Sequence, residues 1–191
     1  MCNVIFIAGV YGVGKSTLCS KISSTTGLPA FSAGDLISEI NGELYGKNKV
    51  VKDAKSNQDI LISAVDAKIK KYSRFLLAGH FCIVDRYNDV ETLPEYVFSN
   101  LRLEQIVLLE ADVLRIAENV NRRDQREYPI QTLERLISCE REQAQKVAQE
   151  LMIPLTVHNM QFDSSDEETL AKVIFGGHKY ESSPGYKHCN T

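Results

Sequence analysis

The stretch "VIFIAGVYGVGKST", Val4 to Thr17, decides how this chain reads. Its first half, Val4–Ala8, is a continuous apolar run halted by Gly9, the pattern of a strand buried on both faces. Its second half satisfies G-x-x-x-x-G-K-[ST] through Gly9, Gly14, Lys15 and Ser16. From Lys15 to Thr25 the spacing suits a helix, which Gly27-Leu28-Pro29 ends. A strand before and a helix after are what such a loop needs in order to hold phosphate. Gly9, Gly12 and Gly14 allow a tight turn that aims backbone N–H groups inward, and the helix adds the positive end of its dipole. Lys15 is placed to reach β- and γ-phosphates, and the Ser16 hydroxyl to ligate Mg²⁺. The expected nucleotide contacts are therefore Gly9, Gly12, Val13, Gly14, Lys15, Ser16 and Thr17, with ATP and Mg²⁺ as cofactors. The loop does not say where the terminal phosphoryl goes: to water, driving a shape change, or to a second substrate.

Working outward, 191 residues with 43% hydrophobic and 25% charged side chains suit one globular domain with a substantial core. A net charge of −3 gives no clear nucleic-acid signal. The apolar stretch Val4–Val10 is too short to span a bilayer and lacks the flanks of a signal peptide, so no membrane role and a cytoplasmic location are expected. The five cysteines (Cys2, Cys19, Cys82, Cys139, Cys189) are widely spaced, which reads as reduced thiols.

A short strand at Ala30–Ser32 precedes a helix opened by Ala33-Gly34-Asp35. Residues 42–57 are polar and lysine-rich (Lys47, Lys49, Lys52, Lys55), an expected exposed, mobile segment. Ile60, Leu61, Ala64, Val65 and Ile69 keep helical spacing, and "FLLAG", with "FCIVD" behind it, and "QIVLLE" read as strands. The clearest helix is 131–151, with Leu133, Leu136, Ile137, Ala144, Val147, Ala148 and Leu151 on one side. "IPLTVHN" reads as a last strand, followed by a helix from about Asp166 to Ile174 capped by Ser164 or Ser165. Residues 176–191 lose periodicity and read as a loose polar tail. Alternating strands and helices imply a parallel sheet covered on both faces.

Four stretches, in order, resemble the adenylate kinase and nucleoside monophosphate kinase family: "IAGVYGVGKSTLCSKIS", "FSAGDLI", "FLLAGHF" and "NVNRRDQREY". His80, two residues beyond Ala78, is similar to a histidine of the archaeal and nuclear adenylate kinases. The resemblance covers most of 1–175. It implies one P-loop kinase domain of three-layer α/β fold with a parallel five-stranded sheet, an acceptor-binding helical segment at 35–72 and a short lid at 119–130. It also implies catalytic roles for Lys15, Asp35, Arg123 and Arg126, the lid arginines stabilising charge on the transferring phosphoryl. The acceptor would be a nucleoside monophosphate or another small molecule. The chain departs from the family where Ala78 replaces an aspartate that helps hold magnesium, and where Ser38, Cys82 and Asn119 replace arginines. With Ala78 in that place, Asp35 is the first candidate near magnesium and Asp85, closing "FCIVD", the second; Glu110 closes "QIVLLE" in the same way.

Asn57 and Gln58 stand at a helix start where amides either read a base edge or cap the helix, and His178, His188 and Cys189 are too sparse for a metal site. No N-K-x-D follows the loop, which speaks against a GTPase. Three readings stay open on the residues alone: a small kinase, an ATPase or switch with a protein or RNA partner, and a non-catalytic nucleotide binder.

Overall fold

The computed structural model describes residues 4–41, 54–85, 89–124 and 128–176. Strand β1 is Val4–Ala8, and all five of its residues are buried, as the unbroken apolar run requires of a strand with both faces covered. Burying each of Ile5, Phe6 and Ile7 contributes about 1.5–3 kcal/mol. Then follow α1 (Lys15–Thr26), β2 (Ala30–Ser32), α2 (Ala33–Asn41), α3 (Ala54–Lys71), β3 (Phe75–Ala78), β4 (Cys82–Val84), β5 (Val90–Thr92), α4 (Glu95–Asn100), β6 (Leu103–Glu110), α5 (Val113–Asp124), α6 (Ile130–Leu151), β7 (Leu155–Asn159) and α7 (Ser164–Phe175).

Five strands form one parallel sheet in the order β2-β3-β1-β6-β7. Helix α1 packs against α7, while α6 reaches α4, α5 and the sheet through β6 and β7. Because β1 lies between β3 and β6, the chain departs to opposite sides of it, and a crevice opens beyond its C-terminal end. The phosphate-loop motif lies there. No helix among the described residues is long and apolar enough to cross a membrane.

Three expectations change. "FCIVD" is no strand of the main sheet: β4 pairs antiparallel with β5 in a separate two-stranded sheet. Asp85 belongs to that hairpin's turn, where its backbone N–H donates to the Asp89 carbonyl and its carboxylate accepts from the Asp89 N–H. It therefore closes a strand of the hairpin and not one of the main sheet. Second, α7 starts at Ser164 with Asp163 as its cap, not a serine. Asp163 accepts from the Ser165 N–H at 2.8 Å, and Asp166 reaches back to the Asp163 N–H at 3.3 Å.

Third, the cysteines are not all thiols: Cys82 and Cys139 form a disulfide, their Cα atoms 6.5 Å apart. Folding the hairpin onto α6 brings together two residues separated by 57 positions, a proximity that spacing alone does not reveal. Cys19 is free and buried, and burial pushes its thiol up to about 12 against the opposing charge of Lys15. The tail beyond Gly176, and the lysine-rich segment up to residue 53, lie outside the described residues.

Candidate active site

The loop between β1 and α1 is shaped by close approach. A Cβ on Gly9 would sit 2.5 Å from the Leu109 carbonyl oxygen. At Gly12, where φ is +80°, it would sit 2.6 Å from Val120 Cγ2. Only glycine lets the loop lie so near β6 and α5. Val13 is fully buried and anchors the loop, so it offers a ligand only its backbone; Ser16 and Thr17 are exposed on the first turn of α1. Helix α1 starts after Gly14 (φ +101°) with no side-chain cap and no acid in its first turn. Its leading N–H groups thus point out uncompensated, with the dipole behind them, as an anion site requires.

Lys15 Nζ donates to the carbonyl oxygens of Gly9 (2.6 Å) and Val10 (2.9 Å), folding the side chain along the loop. Nδ1 of His80 is 3.5 Å from the same Nζ. His80 stands just past β3, where the Gly79 N–H donates to the Ile7 carbonyl and ties the turn to β1. The Tyr11 ring, in the position where the resembling family has proline, lies 4.4 Å from the His80 ring, centroid to centroid. Behind His80, Glu140 of α6 is buried. Its Oε1 accepts the Phe81 and Cys82 N–H groups (2.9 and 3.0 Å) and lies 3.7 Å from His80 Nδ1, while its Oε2 is buried with no hydrogen-bond partner. Val10, Glu110 and Glu140 help line a small cavity beneath the loop.

Asn119, where the resembling family has an arginine, instead donates from Nδ2 to the Gly12 carbonyl at 3.0 Å, and its Oδ1 accepts from Arg122 Nη2. Ser38 Oγ donates to the Gly34 carbonyl within α2, and Cys82 is held in the disulfide. All three side chains are employed in the protein's own framework. Glu110 ends β6 as expected, but Arg141 grips it at 2.6 Å (Nε to Oε1) and 2.5 Å (Nη2 to Oε2), so this carboxylate is spoken for. Asp35 lies exposed in the first turn of α2, after the edge strand β2. Arg123 is exposed at the end of α5, and Arg126 lies outside the described residues. Gln58 lies within α3, is 6% exposed, and its Oε1 has no hydrogen-bond partner.

The structure thus joins Lys15 to Tyr11, His80 and Glu140. Glu140 was not picked out from the sequence, and Tyr11 only as the residue standing where the resembling family has proline. A signal for Glu140 was there: it stands between Leu133, Leu136, Ile137 and Ala144 on the apolar side of α6, where a charge is out of place.

A glycine cradle at the open helix end, on a parallel sheet of order β2-β3-β1-β6-β7, defines a P-loop protein with the architecture of small kinases. More particularly, the AAA domain family (AAA_17) matches residues 8–137, and the chain belongs to that family. The adenylate kinase of Thermoplasma volcanium is 27% identical over 109 residues, which cover 56% of this chain and 60% of that protein. The adenylate kinase of Thermoplasma acidophilum is 25% identical over 119 residues, covering 59% and 65%. The chain therefore spans less than two thirds of the length of these curated relatives. Among solved structures, the shikimate kinase of Acinetobacter baumannii, in complex with shikimate, superposes with a TM-score of 0.63 at 15% identity, covering 93% of this chain and 96% of that one. A gluconokinase of Sinorhizobium meliloti 1021 gives 0.52 at 14% identity, covering 93% and 98%. At such identities the likeness is one of fold.

Proposed function

We propose that the protein is a kinase that moves the γ-phosphoryl of ATP, as its magnesium complex, to a nucleoside monophosphate-like or other small acceptor. The observation that carries this reading is the uncapped, glycine-shaped start of α1 with Lys15 beside it, facing the turn after β3. Donor phosphates held there would face the turn after β3, and an acceptor would enter on that side. Among the described residues no cluster of three acidic, histidine or cysteine side chains forms a metal site of its own. Magnesium would then arrive with the nucleotide, held by Ser16 and supported by Asp35, and would neutralise charge on the phosphates. Arg123, with Arg126, would close over the phosphoryl as a short lid.

The test is to incubate the protein with Mg-ATP and each nucleoside and monophosphate in turn and to resolve the products. Acceptor-dependent ADP formation with a new phosphorylated species is the expected outcome; acceptor-independent ADP release would instead support an ATPase or switch. Lys15→Ala abolishes either activity. Arg123→Ala lowers kcat about a hundredfold or more while leaving ATP affinity within a few-fold, and equal losses in both would remove its transition-state role.

A further inference from the structure

From the way α6 is joined to the turn after β3, we propose that the Cys82–Cys139 disulfide is a redox-exchange site whose state sets the affinity of the phosphate loop for nucleotide. Its reactant is a dithiol reductant, and it rests on the kinase reading above only as far as the nucleotide site.

The segment Gly79–Cys82 is held from two sides. Toward the sheet, the Gly79 N–H donates to the Ile7 carbonyl and the Leu93 N–H to the Phe81 carbonyl. The Phe81 ring, fully buried, meets those of Phe6 and Phe98 at 5.2 and 4.6 Å between centroids. Toward α6 the holds are the disulfide from Cys139 and, next to it, Glu140 Oε1, which accepts the Phe81 and Cys82 N–H groups. Opening the disulfide therefore leaves the hairpin docked through its apolar side, and the change is local.

Glu140 makes that change a consequential one. It is 1% exposed, and its Oε2 is buried with no hydrogen-bond partner. A buried carboxylate with one oxygen unsatisfied is costly to keep in place. The neighbouring covalent bond keeps it there, because Cys139 precedes Glu140 and Cys82 supplies one of the N–H groups that Glu140 accepts. Once the bond opens, the carboxylate turns toward water and the segment loses its hold on α6.

His80 carries the change to the phosphate loop. Its Nδ1 lies 3.7 Å from Glu140 Oε1 and 3.5 Å from Lys15 Nζ, and its ring 4.4 Å from that of Tyr11. With the disulfide formed, the turn is already fixed against the loop, and nucleotide binding orders little more. With it open, binding has to order the turn as well, and affinity falls by about 5–150-fold, the range of coupled sites. Coupling is reciprocal: bound nucleotide makes the disulfide harder to reduce by the same factor.

Access favours attack at one sulfur. Cys82 is fully buried, while Cys139 is partly exposed on α6. In the step proposed, a thiolate of the reductant attacks the Cys139 sulfur and forms a mixed disulfide; the Cys82 sulfur leaves as a thiolate and takes up a proton. The reductant's second thiolate then attacks the reductant sulfur of that mixed disulfide and releases Cys139, which is protonated in turn. Two electrons pass from the reductant, which ends as its own disulfide, to the protein, which ends as two thiols.

The experiment uses the whole chain, equilibrated in dithiothreitol buffers of graded potential with and without saturating Mg-ATP. The Cys82 and Cys139 thiols are followed by alkylation and peptide mass, and a fluorescent ATP analogue is titrated into the oxidised and reduced forms. The reduced form keeps cooperative thermal unfolding and binds the analogue about fivefold or more weakly. Mg-ATP lowers the midpoint potential of the pair by about 30 mV for each tenfold difference in affinity. Cys139→Ser binds as the reduced form does, with or without dithiothreitol; if it does not fold, the titration of the unsubstituted chain decides. Equal affinities in the two forms, with a midpoint that Mg-ATP does not move, would overturn the proposal and leave the kinase standing. So would a bond that dithiothreitol leaves intact, or loss of cooperative unfolding on reduction, the mark of a purely structural staple. Failure of both forms to bind the analogue would remove the nucleotide site, and the kinase reading with it.

Discussion

Replacing Gly12 by alanine measures how tightly the phosphate loop is held against α5. Gly12 and Gly27 both have left-handed backbones, φ +80° and +73°, so alanine at either carries a similar strain of about 1–2 kcal/mol. They differ in surroundings. A Cβ at Gly27 meets nothing within 4 Å, whereas at Gly12 it would lie 2.6 Å from Val120 Cγ2 and 3.0 Å from the Ile116 carbonyl oxygen. Val120 is 1% exposed and Ile116 fully buried, so neither can swing into solvent, and one contact is backbone. Overpacking of this kind adds about 1–3 kcal/mol. The expected total for Gly12→Ala is about 2–5 kcal/mol, against about 1–2 for Gly27→Ala. In a chain of this size the difference is about 2–12 °C in Tm. The assay is thermal unfolding of both variants, with a titration of each by a fluorescent ATP analogue. Gly12→Ala also loses nucleotide affinity, because relief of the contact moves the loop and breaks the Asn119 bond to the Gly12 carbonyl; Gly27→Ala keeps it. Equal Tm losses and equal affinities in the two variants would refute the claim that α5 sets the loop's position.

Two other outcomes follow from the frame around the site. Asp166 is 1% exposed. Burial alone would raise its carboxyl, but the Gln161 N–H, the His158 ring and the Phe162 N–H outweigh that and hold it below the ordinary value of 3.8. A depressed carboxyl stabilises the fold fully above its unfolded value, and that contribution is lost as pH falls through the folded one. Asp166→Asn therefore costs about 1.5–3 kcal/mol at pH 7 in urea denaturation, and the gap to the wild type narrows below pH about 4; a gap independent of pH would count against the assignment. At the C-terminal end of α6, Met152 is 90% exposed with φ +52°, and its N–H caps the carbonyls of Ala148 and Gln149. Met152→Gly keeps the cap, relieves the strain and raises stability by about 1 kcal/mol, read as a higher urea midpoint.

The elements with strong local patterns were legible in the chain: β1, the phosphate loop, α1, the long helix α6 and the strands β6 and β7. Their signals are short-range, being apolar runs, glycine spacing and a 3.6-residue period. "FCIVD" misled because an apolar run ending in an acid has the same composition in a sheet core as in a hairpin packed on a helix. What decides between them is β5, a short partner strand with little pattern of its own. The site divides the same way. Lys15 and the glycines announce themselves, while Glu140 and Arg141 belong to the site only because α6 passes behind the turn after β3 and the end of β6. The disulfide and the grip of Asn119 on the loop are likewise products of tertiary folding, joining residues 57 and 107 positions apart.

Three consecutive residues of α6 hold three different neighbours: Cys139 is bonded to the hairpin at Cys82, Glu140 takes the backbone of the turn after β3, and Arg141 grips the end of β6 at Glu110. Successive helical side chains point about 100° apart, so one short segment fans out to all three. The helix thereby works as a keyed shaft. Deleting a single residue upstream of Cys139 would turn all three keys out of their locks together, although every one of the side chains would still be present.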